Sequence, residues 1–323
     1  MTVPNDSLCY CSMCANKTVA VIDIGSNSIK LLVARQGPIS GNIETIFTKT
    51  IKSRIGTGIG KRAPQLAKEA MAAGCKAIAE LITATQRYHP EITKVVATSA
   101  VRDAANAHEF TNLVERETGL KIKILSGIEE ATYICKGLLC DPQLSGTENF
   151  IQMDIGGGSL ELVRFTQGAI EQACSLQLGA IRLTEQFVTD PTAALTDEIE
   201  TNIRNHVENS LKGSGFDFGP VAYPFIVTGG AFVIARALLA AQIDKSIQET
   251  SPILRKQELT ELKSQLVCLP LEERIGYPAL PADRADIIPA ALITIIQILD
   301  YANRDAVSHS FYNLRYGIAK ELF

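Results

Sequence analysis

The stretch MDIGGGSLELV, residues 153–163, decides the fold, because VIDIGSNSIKLLV, residues 21–33, carries the same pattern earlier in the chain. Asp154-Ile155-Gly156-Gly157-Gly158-Ser159-Leu160-Glu161-Leu162-Val163 can be laid on Asp23-Ile24-Gly25-Ser26-Asn27-Ser28-Ile29-Lys30-Leu31-Leu32, and Asp, Ile, Gly, Ser and Leu coincide at five positions. In each copy an apolar run ends in Asp, small polar residues follow, and a second apolar run begins. That is the pattern of a strand, a turn and a strand returning beside it. The copies lie 131 residues apart, far beyond a solenoid period. The offset is that of a domain. It predicts two similar α/β domains, each opening with an antiparallel hairpin and continuing with alternating helices and strands.

Working outward, the first copy predicts strands over 17–24, 29–34, 44–51, 94–98 and 120–125, with helices over 64–88, 100–117 and 129–139. Thr98 or Ser99 would cap the second helix and Gly119 would end it. The polar segment DPQLSGTEN, 141–149, is the expected domain junction. Beyond it the pattern predicts strands over 150–155, 160–165, 169–178 and 224–228. Helices follow Gly179 to residue 187 and span 196–212, and helices are expected for most of the remainder. The division is a flexible lead-in over 1–17, a first domain over 18–140 and a second over 141–307.

The chain has 323 residues, of which 46% are hydrophobic and 20% charged, ordinary usage for a folded protein. With 31 basic and 35 acidic residues the formal charge is −4, so no global positive field draws in nucleic acid or an anionic membrane. The most apolar run, 287–299, is too short to span a bilayer and contains Pro289 and Gln297, which predicts a buried core helix. The N-terminus lacks the basic start and apolar core of a signal peptide, so the cytoplasm is the expected location. Cys75, Cys135, Cys140, Cys174 and Cys268 sit in apolar contexts and are expected as free core thiols. Cys9, Cys11 and Cys14 number only three where a structural zinc site takes four ligands, with no histidine at the usual spacing, so a tail without function is expected, metal binding or redox chemistry being the alternatives.

The turns carry the chemistry. Successive free backbone N–H groups in a glycine-rich turn form a concave anion site. Gly156-Gly157-Gly158-Ser159 fits that description, and Gly25-Ser26-Asn27-Ser28 fits it with hydroxyl and amide donors added. Two such turns from two domains can hold a phosphate chain from opposite sides of a cleft. Residues two apart on a strand share a face, so Ser159 and Glu161 point the same way. Asp154 can join Glu161 around a hard cation such as Mg2+, which takes oxygen ligands; the alternative for Glu161 is a solvated strand residue. Arg102, one turn into its predicted helix, can bind phosphate oxygens in pairs, or else pair with Asp103 or Glu109. Either Glu129 or Glu130, after Ser126-Gly127, is a candidate general base for water.

Together these residues resemble the exopolyphosphatase/guanosine pentaphosphate phosphatase (Ppx/GppA) family. The matching stretches are VIDIGSNSIKLLV (21–33), ATSAVRDAAN (97–106), ILSGIEEA (124–131), MDIGGGSLELV (153–163) and LGAIRLTEQF (178–187), with weaker echoes at VTGGA (227–231), RADII (284–288) and LRYG (314–317). The resemblance implies an actin-like duplicated fold, each half with a ribonuclease-H-like core and the active cleft between them. A final helix over about 308–323 would return to the first domain, in the short two-domain form of the family. The resemblance makes Glu130 the catalytic base. It makes Gly25, Ser26, Asn27, Ser28, Gly156, Gly157, Gly158 and Ser159 the phosphate-binding turns, and Arg102 a phosphate-contacting arginine. Asp154 and Glu161 fall at its acidic metal positions, and Asp23, in the same place in the first copy, completes the expected Mg2+ set. Ala231 departs from the small hydroxyl residue expected there. The implied activity is removal of the terminal phosphate of inorganic polyphosphate, with guanosine pentaphosphate as the alternative substrate. A kinase or a non-catalytic nucleotide sensor on the same fold are the rivals of other classes. Members often form dimers, which no feature of this sequence demonstrates.

Overall fold

The computed structural model describes residues 17–37 and 43–323; Cys9, Cys11 and Cys14 lie outside them. The first copy builds five strands: β1 (Thr18–Ile24), β2 (Ser28–Gln36), β3 (Ile43–Lys52), β4 (Ile92–Ala97) and β5 (Ile122–Ile124). The second builds β6 (Phe150–Ile155), β7 (Leu160–Thr166), β8 (Ala169–Leu176), β9 (Phe225–Thr228), β10 (Ile253–Arg255) and β11 (Ala306–His309).

The sheet orders demonstrate the duplication. The first sheet runs β3-β2-β1-β4-β5, and the second, read from its far edge, runs β8-β7-β6-β9-β11 with β10 added beyond β11. In both, the hairpin and its third strand are antiparallel and the later shared strands join in parallel, while the added β10 runs antiparallel to β11. The register repeats as well: Asp23 sits opposite Lys30, and Asp154 opposite Glu161. The turns close with the same bond, Gly25 N–H donating to Ser28 O at 3.2 Å and Gly156 N–H to Ser159 O at 3.0 Å. The chain has the actin-like, duplicated α/β fold. One apolar cluster runs through both halves, with Ile24, Ile29 and Val101 from the first and Ile155, Leu178 and Leu183 from the second. The helix Ile288–Tyr301 is buried along most of its length, as its uninterrupted apolar face requires.

Three expectations are corrected. The helix predicted over 100–117 is two helices, Ser99–Arg102 and Ala107–Thr118. A tertiary contact makes the break: the Asn106 amide bonds both the N–H and the C=O of Leu66, at 2.9 and 3.0 Å, and Ala105 N–H donates to Pro64 O. Gly119 ends the second piece in the left-handed conformation, as expected. The C-terminal helix is Leu314–Leu322, while Ser308 and His309 finish β11 in the second sheet. Its Leu314, Tyr316, Ile318 and Ala319 pack with Val19, Val21, Leu32 and Ala34 of the first sheet. Cys268 is exposed rather than in the core, because it caps the end of the helix Lys256–Val267. Among the described residues no helix is long and apolar enough to cross a membrane.

Candidate active site

The two turns meet. A Cβ added to Gly157 would lie 2.8 Å from the Cβ of Ser26, and one added to Gly158 would lie 2.3 Å from the Ser99 hydroxyl and 3.0 Å from that of Ser26. Only residues without a side chain allow this approach, which is why the second turn is glycine and the first can be serine and asparagine. Among the described residues no backbone carbonyl accepts from the amides of Ser26, Asn27, Gly157 or Gly158, and such amides are free to bind an anion.

One cavity opens beside the turns. Asp23, Gly25, Ser26, Asn27, Ser28, Glu130, Asp154, Gly156, Gly157 and Ser159 line it, so residues separated by well over a hundred positions come together there. Arg102, Gly158 and Glu161 do not line it.

Glu130 and Glu129, left open by their sequence pattern, are separated by the helix Gly127–Leu138. Ser126 and Glu129 form a capping box: Ser126 Oγ accepts from Glu129 N–H at 3.2 Å, and Glu129 Oε2 accepts from Ser126 N–H at 2.9 Å. Glu129 is also paired with Lys123 at 2.8 Å, which with the cap holds its carboxyl down at about 2. Glu130 faces inward and is 8% exposed. Burial, then the Glu161 carboxylate, push its pKa well above the ordinary glutamate value, against the pull of Arg102.

Arg102 donates to Glu130 Oε2 at 2.7 Å and to Leu125 O at 3.1 Å, and lies 3.5 Å from Asp103 Oδ1. The sequence offered Arg102 either phosphate oxygens or a pair with Asp103 or Glu109; the structure shows the Asp103 contact and adds Glu130 as its nearest carboxylate.

Glu161 is fully buried, not solvated. Its Oε1 accepts from Ser175 Oγ at 2.7 Å, its Oε2 has no partner, and burial together with Asp154 raises its pKa to about 8. Asp154 accepts from the Thr228 hydroxyl. Asp23 Oδ1 is buried without a partner, and burial raises both aspartates. Among the described residues no three acidic, histidine or cysteine side chains converge into a metal cage. Of the trio Asp23, Asp154 and Glu161, two carboxylates reach the cavity wall, and Glu161 stands opposite Asp154 in the next strand. That still suits Mg2+, a hard ion that usually takes one or two carboxylates and fills its octahedron with water and phosphate oxygens.

Sequence reasoning missed several contributors. Lys30 and Arg284 line the cavity and bring positive charge into it. Asn27, assigned with its amide oxygen toward Arg284, accepts from Nε at 2.8 Å and Nη2 at 3.0 Å. Lys30 could have been found, since it stands opposite Asp23 in the hairpin register. Arg284 begins the RADII stretch quoted as a weak echo, but its place in the cavity depends on how the two halves pack.

The sequence model of the Ppx/GppA phosphatase family matches residues 32–322. A solved Ppx/GppA enzyme from Aquifex aeolicus is 25% identical, with 94% of this chain and 99% of that chain covered and a TM-score of 0.75. An exopolyphosphatase from Cytophaga hutchinsonii shares the fold at a TM-score of 0.82, with 22% identity over 95% of this chain and 97% of that one. The match over nearly the whole chain, on a duplicated scaffold whose two turns meet at one acidic cavity, makes this protein a hydrolase belonging to the Ppx/GppA phosphatase family.

Proposed function

We propose that the chain removes the terminal phosphate of inorganic polyphosphate, with water as the nucleophile and Glu130 as its base. The observation that carries this reading is the convergence of both turns, with unbonded amides, on the cavity that Glu130 also lines. The terminal phosphoryl group lies between the turns. The amides of Ser26, Asn27 and Gly157 and the hydroxyls of Ser28 and Ser159 hold its oxygens, and Lys30 and Arg284 offset its charge. Glu130 accepts the proton of the attacking water, and Arg102 holds the carboxylate in place. When Mg2+ is bound, Asp23 and Asp154 are the residues that would hold it, and it supplies charge neutralisation on the phosphate oxygens. Phosphoryl transfer depends chiefly on positioning and electrostatic stabilisation, which this set of groups provides.

Phosphate release with Mg2+ from long polyphosphate, short polyphosphate and guanosine pentaphosphate tests the reading. Polyphosphate is expected to be the better substrate; clear preference for guanosine pentaphosphate would replace it as the substrate. Glu130→Gln preserves size and removes the base, so turnover is expected to fall by about a hundredfold or more while substrate binding persists. Parental turnover in that variant would remove Glu130 from the mechanism.

A further inference from the structure

Arg182 lies outside the cavity, on the helix Ala180–Phe187, and its side chain is almost wholly buried. Its guanidinium makes three different attachments. Nε donates to Gly158 O at 2.8 Å, which grips the glycine turn of the second half. Nη1 donates to Ile59 O at 2.7 Å, in the first half. Nη2 donates to Asp103 Oδ2. The other oxygen of Asp103 faces Arg102 Nε at 3.5 Å, and Arg102 holds Glu130. A continuous line of charged contacts therefore runs from Gly158 through Arg182, Asp103 and Arg102 to Glu130.

We infer that Arg182 and Asp103 are positioning residues, which set the second half's phosphate-binding turn and the first half's base in a fixed relation. This rests on the proposed hydrolysis by Glu130. A phosphoryl group held by one half and a water held by the other react only when the halves are in register. An arginine suits the task because its planar fork offers several donors in fixed directions, whereas lysine offers a point charge. Glu185, one turn further along the same helix, provides the internal comparison. It accepts from Gly58 N–H at 2.7 Å and Gly60 N–H at 2.8 Å, so it also ties the halves together, without touching Asp103.

The test compares Arg182→Lys, Asp103→Asn, their double variant and Glu185→Ala, by steady-state kinetics on polyphosphate and by amide hydrogen exchange. A misplacement of about 1 Å can cost about a hundredfold, so Arg182→Lys and Asp103→Asn are each expected to lower kcat by about ten- to a hundredfold with KM nearly unchanged. The double variant is expected to be no worse than the poorer single one, because both cut the same line. Glu185→Ala is expected to keep kcat within about twofold of the parent, since it accepts only from the amides of Gly58 and Gly60 and bonds neither Asp103 nor the glycine turn. Parental kcat in Asp103→Asn, multiplying effects in the double variant, or an equal loss in Glu185→Ala would each overturn the inference. Hydrogen exchange tests the same line without turnover. Arg182→Lys is expected to speed exchange both at the hydrogen-bonded amide of Gly156 and at 101–103, and Glu185→Ala only near 58–60. Unchanged exchange at 101–103 would overturn the line whatever the substrate proves to be. A parent protein that releases no phosphate would overturn the functional reading separately.

Discussion

Lys30 and Glu161 occupy the same place in the two copies, each opposite the aspartate that ends the preceding strand. In the first copy the cross-strand pair carries opposite charges. In the second it stacks two carboxylates in a buried sheet, which raises Glu161 to about 8 and, through Glu161, contributes to raising Glu130. A base must be ionised to take a proton, so activity is expected to rise with pH through the raised Glu130 value. The acid limb of the kcat/KM profile is expected to lie well above the ordinary glutamate range. Because Glu130 and Glu161 interact, that limb belongs to the pair. Glu161→Gln removes one cause of the raised value, so the limb is expected to move toward lower pH; a limb that stays in place would separate Glu161 from the base. The sequence reading missed Lys30 and left Glu129 and Glu130 open, although the aligned copies place Lys30 where Glu161 stands and Ser126-x-x-Glu129 spells a capping box that leaves Glu130 as the inward glutamate. The turn of Arg102 toward Glu130 was not legible, because it depends on a carboxylate buried by tertiary packing.

The helix Gly127–Leu138 carries Glu130, and glycines govern how it docks at both ends. A Cβ on Gly127 would lie 2.3 Å from the Cβ of Ser175, the residue that holds Glu161. At the far end, Gly137 and Gly317 let this helix cross the C-terminal helix closely: a Cβ on Gly137 would lie 2.1 Å from Asn313 O, and one on Gly317 only 1.8 Å from Tyr133 O. Those neighbours are backbone atoms, which cannot swing aside. Gly317→Ala is expected to destabilise by about 1–3 kcal/mol or more through overpacking. The measurement is the thermal midpoint, expected several degrees below the parent; an unchanged midpoint would mean the crossing is looser than described. The hairpins were readable because strand alternation and turn composition are local signals. The helix break after Arg102 was not, because Asn106 is fixed by Leu66, forty positions away in sequence and invisible to any local pattern.

At the scale of the whole molecule, two of the contacts that hold the halves together differ in how they respond to salt. On one rim Lys52 pairs with Asp283 at 2.6 Å and Arg54 with Asp286 at 2.6 Å, with Lys52 and Arg54 well exposed. In the centre the turns touch through Gly157, Gly158, Ser26 and Ser99. Exposed ion pairs contribute about 0.2–1 kcal/mol, and the Debye length falls to about 3 Å at 1 M salt. Asp286→Asn is therefore expected to cost at most about 1 kcal/mol at low ionic strength, and the difference from the parent is expected to close as salt is raised. Gly158→Ala acts by volume. Its methyl would lie 2.3 Å from Ser99 Oγ and 2.5 Å from Ile59 Cδ1, so those first-half side chains must give way whatever the ionic strength. Denaturant unfolding at low and high salt distinguishes the two. A penalty for Gly158→Ala that fades with salt, or one for Asp286→Asn that persists, would reverse the assignment of which contact sets the register of the cleft. If the assignment holds, Gly157 and Ser26, which join the halves at the centre, are also proposed to grip phosphate, so closing the cleft and building the anion site are one event.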